Sequence, residues 1–453
     1  MKRLICLLAG VLALVSCSNE NIIKVDCPKR PAGQEDMVGF AAPALDTVRI
    51  GFVGLGMRGP DAVRRMTYIE GARTVALCDL RQDRIDYSQQ ILSGRGCPAA
   101  AEYCGENGWK ELCEREDIDL VYICTDWESH ARIALYAMEQ GKHCAIEVPA
   151  AVSLEQCWEL INASEKTRKH CMMLENCCYD YFELTALNMA QKGLFGEIVH
   201  AEGAYIHNLD MYWDEYWNNW RLEFNRTHRG DWYPTHGLGP VCQALNIHRG
   251  DRMTRLVSMD TDSFNGKKTW KQKHGEDVDF ANGDFTTTLI ATEKGKTILL
   301  EHDVLTPRPY SRLYSLTGTE GYANKYPIQG FMINSQAAPE GEIDIENLNA
   351  HSFVPDDVRQ KLMQVYKHPL LEYYEQEARK VGGHGGMDYI MDARLIYCLR
   401  NGLPLDMDVY DLAEWSCIGE LSQISLENGC APVEFPDFTR GSWNKVQGYR
   451  HAF

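Results

Sequence analysis

The sequence predicts an α/β chain in two parts: a parallel sheet with helical crossovers, then an α+β domain whose sheet is mainly antiparallel. Three observations predict it. From residue 47, short apolar runs (TVRIGFVG, RTVALCD, DLVYICT, HCAIEV, HCMMLEN) alternate with stretches long enough for a helix, the pattern of repeated strand-helix-strand units. The first run leads into a glycine-rich turn, Gly54-Leu55-Gly56-Met57-Arg58-Gly59. Beyond residue 178 the alternation stops, and extended runs such as EIVHAEGAYIH, MTRLVSMD, FTTTLIATE, KTILLEHDV and SRLYSLTGT dominate before a helical last hundred residues.

The elements divide the chain into four segments. Residues 1–16 carry Lys2 and Arg3, then an uncharged apolar run from Leu4 to Val15, which reads as a signal peptide too short to span a bilayer permanently. Leu14-Val15-Ser16-Cys17 resembles a bacterial lipobox, so Cys17 is the expected lipid carrier of an exported lipoprotein, in the periplasm or at the cell surface. Residues 17–45, rich in Pro, Ala and polar side chains without periodicity, are expected as a tether. Residues 46–178 are expected to form the parallel-sheet domain and residues 179–453 the α+β domain with its C-terminal helices.

Composition narrows the partners. The 453 residues are 45% hydrophobic, ample for well-buried cores. The net charge of −18 argues against nucleic acid and leaves small molecules or neutral sugars open. The 17 cysteines include no CxxC pair and no Cys/His cluster at zinc spacing, and several lie inside apolar runs, so few disulfides and no metal are expected.

In a G-x-G-x-x-G between strand and helix, Gly54 makes the tight turn and Gly56 lets a pyrophosphate approach the backbone. Gly59 allows the helix to pack on the strand, and Pro60 starts that helix. Asp79 ends the next strand, twenty residues after Gly59, where a carboxylate can hold both ribose hydroxyls of adenosine and would repel a 2′-phosphate. The implied cofactor is NAD rather than NADP. Residues at the carboxyl ends of parallel strands face the cofactor crevice. Trp127 and His130 are therefore candidates for packing around the nicotinamide half, and Glu147 for bonding its ribose.

These features resemble the glucose-fructose oxidoreductase and inositol dehydrogenase family, most of whose members carry Glu-Lys-Pro where this chain has Glu147-Val148-Pro149. A valine cannot take a proton from the hydroxyl being oxidised. Gly56-Met57-Arg58-Gly59, Trp127-x-x-His130, Glu147-Val148-Pro149, Glu175-Asn176-Cys177-Cys178-Tyr179 and Arg229-Gly230-Asp231-Trp232-Tyr233-Pro234-Thr235-His236-Gly237 together resemble one branch, glycoside hydrolase family 109. The resemblance implies an NAD-dependent α-N-acetylgalactosaminidase. It also implies cofactor contacts from Met57, Arg58, Asp79, Trp127, His130, Glu147, Val148 and Asn176. Substrate contacts would come from Tyr205, Arg221, Tyr233, Pro234, Thr235 and Tyr310, with His236 beside the reacting carbons.

The implied route explains why a glycosidase needs NAD. C3 of the sugar is oxidised, the ketone acidifies the C2 proton, a base removes it, the C1 substituent leaves, water adds, and C3 is reduced again. For the proton transfers the sequence offers Tyr233 and His236, with Tyr179 and His207 in reserve. Which of them serves C2 and which C3 is open, as are the sugar and its anomer. The aromatic stretch from Asn208 to Trp232 is expected as an irregular loop lining the site, with His384 in a glycine-rich turn. Two rival readings are a periplasmic NAD-dependent sugar dehydrogenase, against which Val148 argues, and a sugar-binding protein with a vestigial NAD fold. The small carbohydrate or glycan is the expected partner, membrane contact is through the lipid alone, and an outward sheet face leaves a homo-oligomer open.

Overall fold

The computed structural model describes residues 22–334 and 351–453. The expected signal peptide and Cys17 lie outside the described residues. In the first domain β1 (Val48–Val53), β2 (Ala72–Asp79), β3 (Ala101–Cys104), β4 (Leu120–Ile123), β5 (His143–Ile146) and β6 (Cys171–Met173) form a six-stranded sheet in the order β3-β2-β1-β4-β5-β6. Every pairing in it is parallel. β4 and β5 are buried along their whole length, as strands covered by helices on both faces must be. The strand order reverses between β1 and β4, and a crevice opens there at the carboxyl ends of the strands.

β3 adds a strand to those read from the sequence. Its four residues, AEYC, alternate between half-buried and exposed at the sheet edge, so no apolar run marks it.

The second domain holds β7 (Ile198–Ile206), β8 (Met253–Asp260), β9 (Thr286–Thr292), β10 (Thr297–Asp303), β11 (Tyr314–Gly318), β12 (Gly321–Asn324), β13 (Gly330–Ile333) and β14 (Val433–Glu434). They form an eight-stranded sheet in the order β13-β12-β11-β7-β10-β9-β8-β14, antiparallel except where β7 and β10 run together. The helix Thr235–Leu245 lies on β7 so closely that a Cβ on Gly203 would come within 2.5 Å of Gly237 O. Only glycine at both positions permits that approach. On the opposite face Val257, Leu289 and Leu299 stand side by side across β8, β9 and β10, with Leu289 exposed.

The chain division near residue 178 is not a division in space. The helix Met387–Asn401 returns to pack on the helix Gly59–Met66 and on β1, and the helix Val409–Ser416 packs on β6 and the helix Leu154–Thr167. One apolar core runs through both halves. Every cysteine among the described residues is a free thiol.

Two expectations are corrected. Residues 22–45, read as a tether, are laid along the body: Ile23 bridges to Val433, Arg30 pairs with the buried Glu165 at 3.0 Å, Met37 and Ala42 are buried, and Leu45 N–H donates to Leu399 O. Single apolar anchors spaced along an extended strip need no periodicity, which is why the sequence pattern does not reveal them. The aromatic stretch is also more ordered than a loop. It forms 3-10 turns at Trp213–Glu215 and Trp217–Asn219, then the helix Trp220–Thr227.

Candidate active site

The crevice is a cleft of about 920 Å³, walled on one side by the strand ends of the first domain and on the other by residues 214–221 and Tyr233 of the second. Gly54 leaves β1 with φ +89°, and a Cβ there would meet Cys124 O at 2.6 Å. A Cβ on Gly59 would lie 2.2 Å from Gly54 O, whereas one on Gly56 would meet nothing within 4 Å. The open space before Gly56, at the N-terminus of the helix Gly59–Met66, fits a pyrophosphate. Asp79 Oδ2 accepts the Leu55 N–H at 2.6 Å and Oδ1 accepts the Arg81 N–H at 2.9 Å, so the turn is fastened to the carboxylate at the adenosine end. Met57 is exposed along the same wall.

At the other end of the cleft, Asp126 caps the helix Trp127–Glu139 by accepting the Ser129 N–H, which fixes Trp127 at the helix start. Trp127 stacks on Tyr233 at 5.5 Å and meets Trp220 and Phe224 edge-on, so it joins the two domains across the cleft. His130 is buried, with Nδ1 at 2.8 Å from Pro149 O and Nε2 at 3.0 Å from Thr125 O. It thereby braces the ends of β4 and β5, with Val148 beside it on the cleft wall. Burial holds its pKa below the ordinary histidine value.

Arg58 organises the junction of the two halves. Its Nε donates to Glu147 at 3.1 Å, its Nη2 to Asp388 at 3.2 Å, and its Nη1 lies 3.3 Å from His384 Nδ1. Asn176 Nδ2 donates to the other Asp388 oxygen at 2.6 Å. Burial alone would raise the Asp388 carboxyl, but Arg58, His384 and Arg65 hold it well below the carboxylate range. Asn176 and Glu147 are thus set by a fixed charge network, and His384 is part of it.

Beyond Tyr233 lies a cluster of aromatic and imidazole groups. His236, in the first turn of the helix Thr235–Leu245, is buried, and its Nδ1 is 2.7 Å from Glu175 Oε1. Pro234 precedes that helix, and Thr235 is fully buried. The resulting turn brings the Tyr233 and His236 rings to 5.0 Å, and Tyr205 lies 4.6 Å from the one and 5.4 Å from the other. Burial pushes His236 down to about 4 against the pull of Glu175, and burial would raise Glu175 but His236 keeps it low. A neutral imidazole therefore faces an ionised carboxylate. Nδ1 carries the proton donated to Glu175, and Nε2 keeps a lone pair for a base.

Tyr205 and His207 Nδ1 share a hydrogen bond at 2.8 Å, and Tyr310 meets the His207 ring edge-on at 4.8 Å, half in solvent at the mouth. Arg221 is buried over the faces of Tyr233 (4.4 Å) and Trp127 (4.9 Å), with Nη1 donating to Tyr216. The structure brings Tyr233, His236, Tyr205, Arg221 and Tyr310 together. Tyr179 is not with them: its hydroxyl points away and donates to Asp406, which is paired with the buried Arg394. The 3-10 turn Asn176–Tyr179 sends Asn176 to Asp388 in the Arg58 network and Tyr179 into the core, so Tyr179 is a packing residue.

Sequence reasoning gave no role to Glu175, Asp388 or Arg312. Glu175 had a usable signal, a carboxylate just past a parallel strand, like Glu147. Glu175, Cys177 and His236 bring one donor atom each within 4.8 Å of one another. Arg312 Nη1 already donates to Cys177 Sγ at 3.2 Å, so the trio suits a proton relay better than a cation.

Comparison with known proteins agrees with this geometry. Residues 179–445 match the family described as glycosyl hydrolase 109, C-terminal domain, and residues 48–175 match the oxidoreductase family, NAD-binding Rossmann fold. NAD is accordingly the cofactor of the first domain. The chain is 59% identical to glycosyl hydrolase family 109 protein 1 of Bacteroides thetaiotaomicron, covering all of both chains. It is 60% identical to the glycosyl hydrolase family 109 protein of Porphyromonas gingivalis over 98% of this chain and 96% of the other. Among solved structures, the WlbA dehydrogenase from Bordetella pertussis, in complex with NADH and UDP-GlcNAcA, shares the fold with a TM-score of 0.63 at 14% identity, over 87% of this chain and 99% of the other. Levoglucosan dehydrogenase, in complex with NADH and L-sorbose, does so with a TM-score of 0.61 at 16% identity, over 87% and 100%. The chain belongs to glycosyl hydrolase family 109, and its domains are those of an NAD-dependent glycosidase.

Proposed function

We propose that the protein hydrolyses terminal α-N-acetylgalactosamine, or a related hexosaminide, by oxidation at C3, elimination across C1 and C2, addition of water and re-reduction at C3. The observation that carries this reading is the His236–Glu175 pair: a neutral base beside the cofactor cleft, in a chain whose Val148 stands where a lysine base would be. NAD, when bound, supplies a reversible acceptor for the hydride from C3. Tyr233, stacked on Trp127 at the boundary of cleft and cluster, holds the C3 hydroxyl by hydrogen bonding. His236 Nε2 takes the C2 proton, while Glu175 keeps the imidazole in the tautomer that can accept it. Arg221, Tyr205 and Tyr310 orient the sugar.

Incubating the purified protein, with no added cofactor, with p-nitrophenyl α-N-acetylgalactosaminide in deuterated water tests the reading. Nitrophenol release with deuterium at C2 of the sugar supports it. Absence of cleavage, with reduction of added NAD+ by free sugars, would instead favour the sugar dehydrogenase.

The N-terminal sequence supports an exported lipoprotein anchored through Cys17. Mass spectrometry of the mature N-terminus should find a lipidated cysteine, lost in Cys17→Ser. The outward apolar row of Val257, Leu289 and Leu299 suits a second copy of the chain, and sedimentation should give a dimer or higher homo-oligomer.

A further inference from the structure

The buried arginines of this protein are of two kinds. Among the described residues, Arg65 and Arg394 each form an ion pair with a carboxylate, whereas Arg221 and Arg312 form none, Arg221 lying instead over the faces of Tyr233 and Trp127 with Nη1 donating to Tyr216. Arg312, only 6% exposed, has no carboxylate within ion-pair distance among the described residues. Its Nη1 reaches two sulfurs, Cys177 Sγ at 3.2 Å and Met387 Sδ at 3.8 Å, and its buried Nε has no partner. Sulfur is a weak acceptor, and a buried charge left without a strong partner is costly to the fold. A cation kept under those terms is available to a ligand.

Its surroundings say which part of the ligand. The guanidinium lies 5.7 Å from the Tyr310 ring, in the half of the site that holds His207, Tyr205 and His236. Its charge acts on both imidazoles, helping burial to keep them neutral. This is the cluster to which the proposed function assigns the sugar, beyond the cofactor cleft.

We propose that Arg312 binds the sugar oxygen on which negative charge collects when the C2 proton leaves, the C3 oxygen of the oxidised sugar. The inference rests on the oxidation and elimination reading above. The C2–H bond breaks, and the proton goes to His236 Nε2. The electron pair forms the C2–C3 double bond, and the carbonyl π pair moves onto the C3 oxygen, which the guanidinium holds. That pair then re-forms the C3 carbonyl, the C2–C3 pair shifts to C1–C2, and the C1–O bond breaks with its pair leaving on the aglycone, which takes up a proton. A preorganised cation at the developing oxyanion speeds the first of these steps without competing for the proton.

The test compares wild type, Arg312→Met and Arg312→Lys as full-length NAD-loaded enzymes, reading nitrophenol release, deuterium at C2 and the thermal midpoint. Arg312→Met is expected to fold with a thermal midpoint close to wild type, because the guanidinium forms no ion pair and its Nη1 donates only to sulfurs. It should lose about 10²–10³-fold in both release and C2 exchange, with part recovered in Arg312→Lys. Bound NAD should be unchanged. Full exchange per folded molecule in Arg312→Met would overturn the proposal. So would a failure of that variant to fold, since the charge would then be spent on structure. If wild type itself places no deuterium at C2, the elimination route fails and the role of Arg312 falls with it; normal wild-type exchange with normal Arg312→Met exchange overturns Arg312 alone.

Discussion

On the proposed reading, His236 owes its chemistry to a residue 61 positions away. Glu175 fixes its tautomer, and burial keeps it neutral down to about pH 4. Glu175→Gln preserves the size of the partner and removes the charge, so it should lower kcat roughly 10²–10⁴-fold without expelling NAD. The base is competent when unprotonated, so the acid limb of kcat/KM for the free enzyme should fall near 4 rather than near the ordinary 6.5. A limb near 6.5, with folding verified by circular dichroism, would remove His236 from that role. At this scale the sequence was legible where function sits at a strand end, as at Asp79 and Glu147. It was silent where function depends on distant partners: Asp388 meets Arg58 across 330 positions, and no local pattern carries that. Tyr179 shows the converse, a residue in the right motif whose side chain the 3-10 turn directs into the core.

Elements set the cleft through close approaches and buried pairs. Gly56→Val projects into empty space, so the variant should fold with an unchanged urea midpoint in the cofactor-free state yet lose bound NAD. Gly59→Ala, whose Cβ would fall 2.2 Å from Gly54 O, should lower that midpoint as well. Equal effects of the two would contradict the assignment of Gly56 to the pyrophosphate. The helix Gly59–Met66 is locked to the helix Met387–Asn401 by the fully buried Arg65, 2.7 Å from Asp392. Arg65→Met leaves the buried Asp392 without its cation while Asp388 keeps Arg58, and equilibrium unfolding should show a loss of about 3 kcal/mol. The first domain's strands were legible because each carries a run of predominantly apolar residues where it is buried. Short β3 and the strip of residues 22–45 were not, because an edge and a surface strip bury only single side chains.

Across the whole molecule, several histidines are buried neutral. His143, His207, His236 and His451 are pushed down to about 4, chiefly by burial. His170, His302 and His368 go to about 3. Between those values and 6.5 the unfolded chain binds more protons than the folded one, so stability falls as pH falls through that window. Asp231, raised to about 7, and Asp408, raised to about 6, act in the opposite sense, as do Glu183, Asp392, Glu414 and His248, which are also raised, but the lowered histidines outnumber them. The thermal midpoint should therefore drop modestly from about pH 6.5 to about pH 4.5; a rising midpoint would contradict the burial of these rings in neutral form.

On the proposed reading, the sugar cluster and the cofactor cleft meet at Tyr233 and Trp127, and one NAD is used again without leaving. The most direct test of that claim is the fate of the hydrogen at C3. With a glycoside deuterated at C3 and cleaved in ordinary water, the account predicts that the released sugar keeps its deuterium at C3. Loss of the label from C3, or its appearance in NADH free in solution, would contradict it.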